Sequence, residues 1–330
     1  MFKLLLQRLV GVVLTLLVAS AVVFAVLEVL PGNAAELKLG DTATPQALAA
    51  LTVRLGLDRP PLARYGDWLS GLLHGVTARS SSYDTTTAEL IAQRLRVTLP
   101  LALLAMALTT VLALALGVYA AARHRQAGDT LVMAASQLGI AVPGFWFAIL
   151  LILVFAVQLQ WVGAGGFPGW SAADDGGGGQ GGIAAGLQAL ILPAVALALV
   201  QAAILARVTR SAVLDVLHED YMRTARAKGL TRRQALWRHG LRNALIPVLT
   251  VAGLQFANLL TGTIVVENVF VLPGIGRLVF QAVANRDLVV VRDVVMLLVA
   301  GVVLVNAGVD LLHVAIDPRL RQPGHGREAA

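Results

Sequence analysis

Six long apolar blocks dominate the sequence, and four of them contain no charged residue. A helix of about 20 apolar residues crosses the roughly 30 Å hydrocarbon core of a bilayer. Each block reaches that length, so the pattern predicts an all-α integral membrane protein with six transmembrane helices. The blocks lie at residues 9–30, 97–122, 131–158, 187–206, 244–266 and 288–316.

The overall composition agrees with a membrane location. Charged residues make up 14% of the chain and apolar residues 57%, whereas soluble domains carry about 25% charged residues. The chain has no cysteine, which excludes disulfides, thiolate metal sites and a cysteine nucleophile. Its six histidines show no close ligand spacing, so we expect no resident metal.

The basic excess, 26 Lys and Arg against 19 Asp and Glu, could suggest a nucleic-acid partner. Most of these residues flank the apolar blocks, where control of topology and contact with lipid headgroups explain them better. The only lysines are Lys3, Lys38 and Lys228, and none completes a P-loop. We therefore predict a chain that is not an enzyme and holds no cofactor of its own.

The connections between the blocks differ in charge, which predicts their sides of the membrane. Residues 207–242 hold nine basic and three acidic residues, whereas residues 160–186 hold two acidic residues and no basic one. Cytoplasmic connections carry the excess of Lys and Arg. We expect a multi-pass protein of the cell membrane with both termini cytoplasmic, a long outer segment at 31–96 and a glycine-rich outer loop at 160–186.

Proline positions predict two local features. Pro143, followed by Gly144, lies inside the third block and should kink or break that helix, because proline lacks the backbone donor and clashes with the preceding turn. In the outer segment, Pro61 opens a stretch to residue 73 that should form a short interfacial helix.

Polar residues inside the apolar blocks are candidates for a transport pathway. Gln255, Asn258 and Gly262 share one helical face of the fifth block, and Gln201 lies in the fourth. A polar seam between helices explains them equally well.

Two acids, Glu28 and Asp310, also lie in apolar blocks. For both we favour structural pairing over a role in gating. Asp310 shares one helical face with Asn306 and His313.

The basic connection between the fourth and fifth blocks is predicted to contain two helical pieces. The first covers residues 213–228 and ends at Gly229, which suits a left-handed helix terminus. Thr231 suits the N-cap of the second piece. An exposed short helix with Tyr221, Ala225 and Lys228 along it can dock into a groove on another protein; the alternative is a loop that only anchors topology.

The order of residues in this loop is specific. Asp-Tyr-Met-Arg-Thr-Ala-Arg-Ala-Lys-Gly-Leu at 220–230, followed by Arg-His-Gly-Leu-Arg-Asn-Ala-Leu-Ile-Pro-Val-Leu at 238–249, resembles the cytoplasmic loop of ABC importer permeases of the dipeptide, oligopeptide and nickel branch. Segments 8–33, 55–60, 267–287 and 305–319 agree in the same order. The general Glu-Ala-Ala start is absent, since Arg223-Thr224-Ala225 stands there.

The resemblance implies a single permease domain over residues 1–330 with the fold of type I importers and a coupling loop at 207–243. In that family two permeases, here expected as a heterodimer, form the pore. Two ATPase subunits bind ATP and Mg, and an external solute-binding protein delivers the solute. The expected cargo is di- or oligopeptide; nickel or another small solute is the alternative within the family, and a stand-alone channel or secondary transporter the alternative outside it.

The resemblance also assigns residues. The coupling helix would seat in a cleft of an ATPase subunit, and its residues are Asp220, Tyr221, Met222, Arg223, Thr224, Ala225, Lys228 and Gly229. We expect apolar contact at Tyr221, Met222 and Ala225 to decide this docking, because exposed ion pairs contribute only about 0 to 1 kcal/mol each. An outer gate loop would contain Pro273, Gly274 and Gly276.

Overall fold

A computed structural model of the chain describes residues 2–29, 44–54, 57–80, 82–171 and 181–316. These residues form helices joined by short loops, with one isolated β-bridge between Arg79 and Thr86. The glycines at 176–179 and the residues from 317 onward lie outside the described part. In chain order the helices are α1 (Phe2–Val29), α2 (Pro45–Arg54), α3 (Pro61–His74), α4 (Thr87–Ala122), α5 (Ala127–Ala141), α6 (Gly144–Leu151), α7 (Ile183–His218), α8 (Asp220–Ala227), α9 (Arg232–Ala235), α10 (Leu241–Val269), α11 (Ile275–Ala284) and α12 (Leu288–Ile316).

The apolar blocks form helices of membrane-spanning length. Among the described residues, α1, α4, α7, α10 and α12 are each long and apolar enough to cross a bilayer. A sixth span results if α5 and α6, with the π-helical continuation Ile152–Gln158, count as one bent unit. The all-α fold is thereby confirmed, with five spans by length and composition and the predicted six if the bent pair is one span.

The third span breaks at the predicted proline. The axes of α5 and of the segment from Gly144 meet at 100°. Val142 has an extended backbone (φ −90°, ψ 129°), as expected for a residue that precedes proline. Pro100, Pro193 and Pro247 lie inside α4, α7 and α10 without ending those helices. The prediction of a kink or break at Pro143 is confirmed.

The chain divides into two compact units. The first contains Met1–Thr98 and Pro273–Leu304, and the second contains Leu99–Leu272 and the residues from Val305 onward. The single domain over residues 1–330 stays a prediction.

The first unit combines an apolar core with buried acids. Residues of α4, α11 and α12 form the core: Leu90, Ile275, Leu278, Ala282, Val290 and Val294. Asp293 accepts a hydrogen bond of 2.8 Å from Nε1 of Trp68, which lies on α3. Arg292 stacks over the Trp68 ring at 4.7 Å. Helix α3, which confirms that a helix forms at the predicted residues 61–73, is thereby bonded to the start of α12; its interfacial position stays a prediction.

The second unit is built around α7, which packs against α5, α6 and α10. Its core includes Leu205 and Val213 of α7, Met222 of α8 and Val248 of α10, each at most 2% exposed. Helices α4 and α7 approach closely, since a Cβ on Gly117 would lie 2.5 Å from Cβ of Thr209. The short helix α8 is therefore part of the same packed core as the spans.

Candidate functional site

The coupling segment folds as a short helix with a defined end. Helix α8 begins at Asp220 after an extended Glu219 and ends at Ala227. Gly229 has φ +93°, the left-handed conformation that glycine adopts without steric cost. The amide of Leu230 donates to the carbonyl of Ala225 at 3.3 Å, which closes the helix terminus. The glycine terminus is confirmed, whereas the helical piece predicted from residue 213 is divided at the extended Glu219, so that α8 starts only at Asp220.

The second helical piece starts with a capping box. The hydroxyl of Thr231 accepts a hydrogen bond from the amide of Gln234 at 3.2 Å, and Oε1 of Gln234 accepts one from the amide of Thr231 at 3.0 Å. This arrangement satisfies two backbone donors at the start of α9. Thr231 is therefore the N-cap that the sequence predicts.

Helix α8 has one buried side and one exposed side. Met222 is 1% exposed and Ala225 is 9% exposed, and both pack in the core of the second unit. A Cβ on Gly240 would lie 3.4 Å from the terminal methyl of Met222, so this packing is tight. Our expectation that Met222 and Ala225 provide apolar contact to a partner is revised, because this conformation turns them toward the chain's own core.

The exposed side of α8 is polar and basic. Asp220, Arg223, Thr224 and Lys228 are exposed, and Nη1 of Arg223 lies 3.3 Å from Oδ1 of Asp220. Tyr221 is 38% exposed and its hydroxyl accepts a hydrogen bond from Nδ2 of Asn243 at 3.0 Å. The side of α8 that is open to a partner protein is thus polar, with part of one tyrosine side chain beside it.

An ion pair that the sequence did not predict joins α5 to α7. Asp129 lies in the first turn of α5 and is 4% exposed. Its carboxylate accepts two hydrogen bonds from Arg210 of α7. The two residues are 81 positions apart, and no local spacing connects them. Only the presence of an acid beside an apolar block and an arginine inside a long helix could have suggested a pairing.

Three of the four pathway candidates lie at the seam between α7 and α10. A Cβ on Gly262 would lie 3.6 Å from Leu197 of α7, so this side of α10 faces α7. Gln255, seven residues earlier, shares that side of α10, and Gln201, four residues after Leu197, shares the facing side of α7. Asn258 is exposed. Gln255 is 4% exposed, and within the described residues neither amide atom has a hydrogen-bond partner.

The outer gate candidates lie where α11 begins. Gly274 is the extended residue before α11, and its carbonyl accepts a hydrogen bond from Leu278 at 3.1 Å. Gly274 and Gly276 are buried, while Pro273 is half-buried. The amide of Ile275 donates to the hydroxyl of Thr98 at 2.8 Å. The structure thus bonds this loop to α4.

The question raised by Glu28 has a structural answer. Glu28, near the end of α1, forms an ion pair with Arg64 of α3. Its side chain is 36% exposed and that of Arg64 is 17% exposed. Structural pairing, which the sequence favoured, is confirmed for Glu28; the pairing of Asp310 with the basic loop stays a prediction.

Comparison with known families covers nearly the whole chain. The family described as "Binding-protein-dependent transport system inner membrane component" matches residues 113–322. The family that describes the N-terminal part of such membrane components matches residues 1–102.

Relatives that match over nearly the whole chain carry transport names. A protein of Brucella abortus named as a peptide transport system permease is 40% identical over 328 residues, covering 97% of this chain and 99% of the relative. The glutathione transport system permease protein GsiC of Escherichia coli is 38% identical over 321 residues, with the same coverage.

A solved structure has the same fold. A chain of the MetNI methionine ABC transporter, determined in inward-facing conformations, superposes with a TM-score of 0.56. The match covers 69% of this chain and 96% of the MetNI chain, at 20% sequence identity. At this identity the similarity shows a shared fold.

Proposed function

This chain belongs to the inner membrane components of binding-protein-dependent transport systems, in the peptide branch of ABC importer permeases, and we propose that it forms one half of the pore through which short peptides enter the cell. Peptide and glutathione permeases of matching length support this cargo. The observation that supports a role in an ATP-driven importer is the placement of α8. Its buried side is fixed in the core, while its polar side is exposed and open to a partner.

The assembly follows from the family. A binding-protein-dependent permease works with an ATPase and with a solute-binding protein. We propose two ATPase subunits that bind ATP and Mg, a second homologous permease that completes a heterodimeric pore, and surrounding membrane lipid. The basic loop that contains α8 would face the cytoplasm, as would both termini. In this arrangement the permease is not an enzyme, and hydrolysis occurs on the partner chains.

Coupling would proceed through the packing of α8. An ATPase that contacts Arg223, Thr224 and Lys228 would displace the helix when its nucleotide sites close. Because Met222 is locked in the core of the second unit, the displacement would carry α7 and α10 with it as a rigid-body movement. Gly229 would let the chain turn away directly after the docked helix.

The pathway would include the seam between α7 and α10. Gln201, Gln255 and Gly262 would line or border the route, with Asn258 exposed beside them. The loop with Pro273, Gly274 and Gly276 would form the outer gate beneath the solute-binding protein. The peptide cargo offers amide donors and acceptors that a glutamine side chain can satisfy.

Docking is tested with a bulky substitution on the exposed side of α8. Thr224→Trp should abolish co-purification of the ATPase subunits and reduce peptide uptake at least about tenfold, since a well-packed helix contact rejects added volume. Gln158→Trp is the control, because Gln158 is exposed but lies outside α8, at the end of the third span. This variant should retain both ATPase co-purification and peptide uptake. Unchanged co-purification and uptake in Thr224→Trp would overturn the docking assignment.

Cargo is tested separately in cells that lack the gene. Uptake of a labelled dipeptide, labelled glutathione and radioactive nickel is compared with and without the restored chain. Uptake of peptide is expected. Uptake of nickel alone would overturn the peptide assignment, and transport that persists without any ATPase subunit would favour a channel or secondary transporter.

A further inference from the structure

Two hydrogen bonds hold the side chains of Asp129 and Arg210 in one relative orientation. Nε of Arg210 donates to Oδ1 of Asp129 at 2.5 Å, and Nη2 donates to Oδ2 at 2.8 Å. This bidentate arrangement fixes both distance and orientation. The amide of Arg125 also donates to Oδ2 at 3.0 Å, and Nδ1 of His124 lies 3.1 Å from Nη2 of Arg210. Asp129 thus holds the connecting turn and the arginine together.

The link joins three spans of the second unit. The turn at residues 123–126 connects α4 with α5, and Arg210 belongs to α7. The close approach of Gly117 to Thr209 places α4 against α7 one residue before the arginine. The ion pair therefore connects the end of the second span and the start of the third to the fourth.

Its position along α7 relates it to the coupling helix. Arg210 lies eight residues before the end of α7 at His218, which corresponds to about 12 Å along the helix axis, and α8 starts two residues later at Asp220. Between them, Val213 and Val216 pack in the same core as Met222. A movement of α8 therefore reaches Arg210 through continuous packing.

Helices α5 and α7 pack through small residues. Gly139 of α5 faces Ala203 of α7, where a Cβ on the glycine would lie 3.3 Å from Cβ of Ala203. Small residues let the two backbones approach closely. One exposed polar contact also joins these helices, since Nη1 of Arg207 donates to Oε1 of Gln137 at 3.3 Å. The bidentate pair of Arg210 constrains the two helices further, because its two hydrogen bonds require one geometry.

We propose that Asp129 and Arg210 are positioning residues for energy coupling: their ion pair makes the third span follow α7 when the coupling helix is displaced. The inference rests on the proposed function, because it presumes that α8 receives the movement of an ATPase. Loss of the pair would leave the ATPase docked and active while α5 lags behind α7. ATP would then be hydrolysed without a matching opening of the pathway.

The test uses the complete transporter, reconstituted in liposomes with its partner permease, ATPase subunits and solute-binding protein. Peptide uptake and ATP hydrolysis are measured together for the wild type, Arg210→Gln, Asp129→Asn and the double variant. Asp84→Asn is the control, because Asp84 forms an exposed ion pair with Arg79 at 3.1 Å. Arg210→Lys keeps the charge but not the fork of donors.

The expected readout is the number of peptides transported per ATP. Arg210→Gln should lower this ratio about tenfold with hydrolysis retained, within the range of coupling changes seen for mutations between sites. The double variant should match the worse single variant, because both residues act through one bond. Arg210→Lys should fall between wild type and Arg210→Gln, and Asp84→Asn should equal wild type.

Two results would overturn the proposal. One is an unchanged transport ratio in an Arg210→Gln or Asp129→Asn transporter that assembles. The other is failure of all four variants to assemble, which would assign the pair to folding rather than coupling. If the wild-type transporter takes up no peptide, the cargo assignment fails instead. The ratio of solute transported per ATP is then measured with the solute that the wild-type transporter does take up.

Discussion

Two acids of the first unit and one amide of the second are equally buried and differ in their surroundings. Asp287 and Asp293 are 1% and 2% exposed, and Gln255 is 4% exposed. Asp287 accepts hydrogen bonds from the hydroxyl of Ser80 at 2.6 Å and from the amide of Ser82 at 3.0 Å. Asp293 accepts from Trp68 and Thr87.

Gln255 lies at the seam between α7 and α10. Its amide oxygen and nitrogen have no hydrogen-bond partner among the described residues. A buried polar group without a partner costs about 1 to 3 kcal/mol. The acids therefore stabilise a fixed arrangement, whereas both amide atoms of Gln255 stay open to a partner outside the described residues. Polar residues of similar burial thus differ in how far the chain itself satisfies them.

The largest effect is expected at Asp293. Asp293→Ala removes the acceptor for Trp68 and Thr87 and leaves Arg292, 3.3 Å away, without its buried counter-ion. Breaking a buried pair in this way costs about 3 to 5 kcal/mol. We expect a lowered Tm for the purified protein in detergent. Asp84→Ala, at an exposed ion pair, should shift the Tm little, and an equal loss in both variants would remove the distinction between buried and exposed acids.

A smaller loss is expected at Asp287. Asp287→Asn keeps the shape but replaces one carboxylate oxygen by a donor, so the hydrogen bonds from Ser80, Ser82 and the amide of Val290 cannot all remain. The expected cost is about 1.5 to 3 kcal/mol, the contribution of a hydrogen bond to a charged group. Thermal unfolding in detergent measures it. Ser80→Ala should produce a loss of the same order, and a neutral Ser80→Ala would contradict the structural role of this contact.

Gln255 should respond in the opposite way. Gln255→Leu replaces an unpartnered amide by an apolar group of similar volume, which is neutral or stabilising by about 1 kcal/mol. Peptide uptake in liposomes should nevertheless fall, by about tenfold if one hydrogen bond to the solute is lost. The exposed Gln188 of α7 provides the matched control, Gln188→Leu. A lowered Tm with unchanged uptake would place Gln255 with the structural acids.

Local sequence signals predicted the coupling region well. Gly229 and Thr231 act within a few residues of themselves, through a left-handed φ and a capping hydroxyl. The break at Glu219, which separates α7 from α8, was not predicted, because the sequence reads as helix straight through from residue 213. Pro143 likewise acts on its own neighbours, although Pro100, Pro193 and Pro247 show that a proline in an apolar block need not break it.

Features that depend on residues far apart in the chain could not be predicted from the sequence. The pairing of Asp129 with Arg210 joins positions 81 residues apart, and that of Trp68 with Asp293 joins positions 225 apart. The burial of Met222 was missed for the same reason, because the loop around it reads as exposed and basic until the core that covers it is known. Periodicity placed Gln255 and Gly262 on one face, but only the packing of Gly262 against Leu197 shows that the face meets α7.

The smallest effect is expected at Glu28, which tests whether a half-exposed acid belongs with Asp293 or with Gln255. Glu28 pairs with Arg64, and 36% of its side chain is exposed. Pairs that reach water contribute about 0 to 1 kcal/mol, so Glu28→Gln should shift the Tm slightly and leave peptide uptake per ATP at the wild-type value. Raising the salt concentration should lower the wild-type Tm toward that of the variant, because screening weakens an exposed pair. A strong fall in uptake at an unchanged Tm would instead make Glu28 a gating residue, and acids near the ends of spans would then require the same scrutiny as Gln255.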